Sequence, residues 1–140
     1  YPRWQSLIRT SGAHREKPRS FRVILFTRGE VAHKPASEQV IAESWLLPAI
    51  EALAQELVRL WPDHILEIKP HPYQRRQALE EICGRHRALR LVDAPPSLLA
   101  AGADLAIATY SSAILDAVAA GVPSIEWFNP LGSQLDLNSF

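Results

Sequence analysis

Apolar positions along this chain fall into short unbroken runs, separated by longer stretches with a helical repeat. FRVILF, from Phe21 to Phe26, is rich in β-favouring side chains, and the TRGE that follows contains the breaker Gly29. This predicts a buried strand leaving into a loop. Leu46, Leu47, Ile50, Leu53, Ala54, Leu57, Val58 and Trp61 then recur at spacings of three and four, which is one face of a helix, stopped by Pro62 and Asp63. Pro48 lies inside the pattern and admits two starts. The helix begins at Ser44, with the proline in its first turn, or near Ser37, with a kink.

The same alternation continues. ILEIK (Ile65 to Lys69) reads as a second strand, and Gln74 to Arg87 as a short amphipathic helix with Leu79, Ile82 and Cys83 inward. LRLV (Leu89 to Val92) is a third strand; Pro95, Pro96 and Ser97 open a small helix that Gly102 closes. DLAIAT (Asp104 to Thr109) is a fourth strand, Ser112 to Ala120 a helix ended by Gly121, and PSIEWF (Pro123 to Phe128) a fifth strand. The strands read as continuous apolar runs, which implies a parallel sheet covered on both faces. Right-handed crossovers then give a Rossmann-like, doubly wound α/β sheet of about five strands. Residues 1–20, with the basic, turn-rich SGAHREKPRS, read as a linker or interdomain segment, and 21–140 as the domain.

Composition narrows the field. An apolar fraction of 47% in 140 residues is enough for one core and argues against disorder. The 15 basic and 15 acidic residues balance, so net charge points to neither nucleic acid nor an anionic membrane as partner. The single cysteine, Cys83, excludes an internal disulfide, fits a reducing cytosol, and reads as a small buried hydrophobe. No apolar run is long enough to span a bilayer. The chain has no methionine and opens on YPRWQ, which reads as a piece of a longer protein.

In a sheet of this kind ligands bind beyond the carboxyl ends of the strands. Thr27, Arg28 and Gly29 would stand there after the first strand, Lys69, His71 and Tyr73 after the second, and Asp93 after the third. Thr109, Tyr110, Ser111 and Ser112 follow the fourth strand, and Glu126 to Asn129 end the fifth. In TYSS, Ser111 or Ser112 caps the next helix, whose first amides and two hydroxyls would suit a phosphate; a plain serine cap is the structural alternative. In KPHP, prolines 70 and 72 fix the backbone on both sides of His71, so its imidazole is ordered before any ligand arrives. The alternative is a histidine bound to backbone in a rigid turn. Lys69 and Arg28 are either phosphate contacts or solvated charges, with Gly29 allowing close approach of a ligand. Asp116 could accept from a ribose diol or simply sit near the helix start. Neither G-x-G-x-x-G nor G-x-x-x-x-G-K-[ST] occurs, and His14, His33, His64 and His86 are scattered among loops and polar faces without zinc spacing.

IKPHP, followed about forty residues later by ADLAIATYSSAILDAVAAGVPSI, resembles the C-terminal nucleotide-binding half of GT-B glycosyltransferases. The closest resemblance is to the bacterial capsule-polysaccharide and sialyltransferase-like groups, marked by His-Pro and Ser-Ser motifs, many of which use CMP-Kdo or CMP-sialic acid. It covers Phe21 to Phe128. The resemblance implies that His71, Ser111 and Ser112 contact the donor phosphate and that Asp116 binds ribose, with Asp where Glu is commoner. Gly121 and Pro123 match the G-x-P that turns the helix into the last strand. It also implies a transferase making surface or capsular polysaccharide in the bacterial cytoplasm, using a CMP-activated sugar and no cofactor or metal. His71 would stabilise the leaving phosphate. The general base and the glycan or lipid-linked acceptor site would belong to an N-terminal half not in this chain, so the fragment alone would not turn over. The full-length protein could associate peripherally with the inner face of the membrane. Alternatives on the same scaffold are a CDP-glycerol glycerophosphotransferase, a UDP-GlcNAc epimerase and a non-catalytic interaction domain.

Overall fold

The computed structural model describes residues 20–27, 36–72, 74 and 76–127, with the side chains of 36–45 excepted. Five strands form one sheet: β1 (Arg22–Thr27), β2 (Ile65–Pro70), β3 (Leu89–Leu91), β4 (Leu105–Thr109) and β5 (Ser124–Glu126). Their spatial order is β3-β2-β1-β4-β5 and every pair is parallel. The crossovers carry α1 (Ala36–Leu60), α2 (Gln77–Arg85), α3 (Pro96–Ala101) and α4 (Ile114–Ala119). This is the doubly wound, Rossmann-like arrangement that the alternation predicts, with β1 at its centre.

Two apolar cores explain the winding. Val23, Leu25, Leu66, Ile68 and Ile107 meet Ile50, Ala54 and Leu57 of α1 and Leu79 and Ile82 of α2 on one face. Ile24, Phe26, Ala106 and Ala108 meet Leu99 and Ala100 of α3 and Ala117 of α4 on the other. Alternate residues of β1 therefore feed different cores, and Val23 to Thr27 are all buried. β2 departs from the expected continuous burial: its residues alternate, because Glu67 and Lys69 point to the second face. There Glu67 pairs with Arg22 at 2.6 Å. That guanidinium also lies where a Cβ on Gly102 would stand, 2.6 Å from Nη1. Gly102 itself has an ordinary φ of −96°, so close approach, not a left-handed turn, is what its missing side chain accommodates.

Helix α1 starts at Ala36, which settles the two readings of its start in favour of the longer helix, running through Pro48. Pro48 is exposed, so the backbone hydrogen bond it forfeits lies on the solvent side. Other boundaries move as well. Helix α2 begins at Gln77, not Gln74, because the Gln74 amide bonds back to the His71 carbonyl instead of opening the helix. Helix α4 begins at Ile114, not Ser112. Strand β5 is shorter than expected, Ser124–Glu126; Phe128 and Asn129 lie outside the described residues.

Candidate functional site

The register fixes the carboxyl edge. Thr27 of β1 is paired with Pro70 of β2 on one side and with Thr109 of β4 on the other. His71 and Tyr110 are each one residue beyond that row, on the same edge of the sheet. One strand, β1, lies between them, so their backbones are about 10 Å apart, two strand spacings. The chain leaves β1 toward the first face and β4 toward the second, which makes the β1–β4 boundary the topological switch point.

His71 opens a tight turn. The Gln74 amide donates to the His71 carbonyl at 2.9 Å, with Pro72 next to the histidine presetting the bend. The turn is fastened on two sides. Inside, the Thr27 hydroxyl donates to the Gln74 side-chain carbonyl at 2.5 Å, both residues being buried. Outside, the Arg76 guanidinium donates to the Asp93 carboxylate at 2.6 Å. The two fastenings are unequal. A buried neutral hydrogen bond contributes about 1 kcal/mol, and orphaning one partner costs about 1–3 kcal/mol. The Arg76–Asp93 pair is solvent-exposed and screened, so it contributes little. Lys69, whose side chain is mostly buried, also faces Asp93, with Nζ 3.6 Å from the carboxylate and 3.5 Å from the carbonyl oxygen. The Arg76 hydrogen bond, more than the charge of Lys69, holds the Asp93 carboxyl below its ordinary value, and the same contact raises Arg76.

Across β1, Tyr110 holds φ at 53°, the one non-glycine residue in the left-handed region among those described. A side chain there costs about 1–2 kcal/mol, and sites held so are concentrated where function needs them. The tyrosine turns the chain abruptly from β4 into Ser111 and Ser112. The Ser111 hydroxyl oxygen accepts from the Ala113 amide at 3.4 Å. The amides of Ile114, Leu115 and Asp116 donate to the carbonyls of Ser111, Ser112 and Ala113 at 3.2, 3.0 and 3.2 Å. These tight i to i+3 bonds consume amides that the sequence reading left open for an anion. What the turn offers a ligand is hydroxyl chemistry, from half-buried Ser111 and exposed Ser112, both still able to donate. Asp116 follows, half-buried, in the first turn of α4.

The structure thus puts Lys69, His71, Tyr110, Ser111, Ser112 and Asp116 at one end of the sheet. Arg28, Gly29 and Tyr73 lie outside the described residues. Gln74 and Thr27 form the contact that sequence reading missed. The sequence put Thr27 on the carboxyl edge, but Gln74 read as a helix start and gave no signal of the pairing. His64 is buried at the opposite, amino end of the sheet, contrary to the polar setting expected for it. Its Nδ1 is 2.9 Å from the Trp61 carbonyl, which can only accept, so Nδ1 carries the proton there. His14 and His33 lie outside the described residues. Among the described residues no three His, Cys, Asp or Glu side chains come together as a metal would require. No helix among them is long and apolar enough to cross a membrane. Cys83 is half-buried against the first core; burial, with Glu80 nearby, pushes its thiol up and keeps it protonated.

No family model matches the chain, and no curated protein matches it. Among solved structures it is similar to Thermosulfurimonas dismutans KpsC, a beta Kdo 2,4 transferase, with 17% identity and a TM-score of 0.49. The match covers 90% of this chain and 43% of that one, so the chain spans less than half the length of the protein it matches.

Proposed function

We propose that this chain is the donor-nucleotide-binding half of a GT-B glycosyltransferase that builds surface or capsular polysaccharide from a CMP-activated sugar of the Kdo or sialic acid type. One observation carries the reading. His71 and the Tyr110–Ser112 turn, the two segments that resemble the His-Pro and Ser-Ser motifs, stand on one sheet edge and flank the end of β1 beside the switch point. A gap of about 10 Å between their backbones leaves space for a phosphate with an imidazole reaching in from one side and a hydroxyl from the other.

On this reading the imidazole and the serine hydroxyls bind the donor phosphate and stabilise the charge it gains as it leaves the anomeric carbon. Asp116 takes the ribose diol, and Lys69 adds positive charge beneath His71. The acceptor and the general base come from the other half of the enzyme, which works at the cytoplasmic face of the membrane.

The test is titration of the chain with CMP, CDP and UDP by calorimetry. CMP should bind best, and His71→Ala should weaken it about tenfold, the loss of one charge-assisted hydrogen bond. Preference for CDP would favour glycerophosphate transfer and preference for UDP an epimerase. No binding of any of the three would leave an interaction domain.

A further inference from the structure

We infer that Gln74, locked by Thr27, is the positioning residue for His71, and that nucleotide affinity depends on this lock although neither residue need touch the ligand. The inference rests on the nucleotide-binding reading of His71 and extends it to residues that carry no motif. Gln74 acts on the histidine twice over. Its backbone amide closes the turn onto the His71 carbonyl at 2.9 Å, and its side chain is pinned to the Thr27 hydroxyl at 2.5 Å.

The placement of Thr27 gives the lock its meaning. Thr27 is the last residue of the central strand and is only 1% exposed; it stands between Pro70 and Thr109 in the register. The loop bearing His71 is therefore referenced through a buried contact to the rigid middle of the sheet, on the side facing the serine turn, and only through an exposed one to the β3 edge. A carboxamide buried to 8% exposure at the start of a surface loop would be a liability without such a partner. With it, Gln74 is fixed to the end of the central strand, and its amide holds the His71 backbone from which the imidazole extends. The Arg76–Asp93 pair holds the other flank, but it is exposed and interchangeable with water.

The lock makes a non-additive prediction. In the 140-residue chain, Gln74→Leu and Thr27→Val should each weaken CMP about fivefold, the effect of one lost hydrogen bond, and the double variant should be no worse than either. Thr27→Ser, which keeps the hydroxyl, should bind like the parent. In a His71→Ala background, Gln74→Leu should cause no further loss. Without ligand, the NMR signals of the His71 imidazole should shift or broaden in Gln74→Leu and Thr27→Val while the amide spectrum stays folded. If Gln74→Leu does not fold, near-isosteric Thr27→Val carries the test. An unchanged imidazole signal, or equal losses with and without His71, overturns the inference. If His71→Ala leaves CMP binding intact, the nucleotide reading fails instead, and the imidazole signal alone then decides whether Gln74 positions the histidine.

Discussion

Asp93, two residues beyond β3, has a carboxylate shared between Arg76 and Lys69, and its effect can be read as pH dependence. Its folded value is depressed, so its contribution is complete above the unfolded value and is lost as pH falls through the folded one. Arg76 is shifted upward, so its share is lost only in strong alkali. The window is therefore acidic, below about pH 4. Denaturation of Asp93→Asn at pH 6 and pH 3 should show a smaller acid loss than the parent, with a modest difference because the pair is exposed. Residues of this kind were half-legible in the sequence. His71 stood out because two prolines frame it. Gln74 did not, because its partner is 47 positions away in the chain. Lys69 could be assigned to the edge, but its engagement with Asp93 depends on where β3 ends in space.

At the scale of elements, the alternation of strands and helices was legible because β1 and β4 are buried on both faces and so carry unbroken apolar runs. Boundaries were less so. Gln74 looked like a helix start, but Pro72 and the bond to Thr27 keep it in a turn. Ser112 looked like a cap, but the chain spends its first bonds on a tighter turn before α4 begins. The end of α4 follows its sequence closely. Gly121 takes φ of +72° with open space around a Cβ, so a substitution there meets conformational strain and no clash. Gly121→Ala should cost about 1 kcal/mol in denaturant unfolding, with little change in the nucleotide affinity of the folded protein.

The whole molecule is two cores of different grain around one sheet. The first is built of large aliphatics from α1 and α2, the second largely of alanines that let α3 and α4 lie close to the strands. The serine turn hangs on the second. Ala108→Leu should cost about 1–3 kcal/mol by overpacking and should also weaken CMP, because it pushes α4 and the turn away from Thr27. Leu57→Ala in the first core should cost about 2–5 kcal/mol yet leave the affinity of the surviving folded fraction unchanged. Calorimetry alongside denaturation separates the two. Strand order adds a temporal side to this division. The neighbours β1, β2 and β3 can associate as they are synthesised, but β1 and β4 join residues such as Val23 and Leu105 across most of the chain. Contacts of that range are late and slow to form. The histidine and serine turns thus come to flank Thr27 only once β1 and β4 have paired, so a nascent or clipped chain lacking β4 would have its histidine turn with no serine turn across from it.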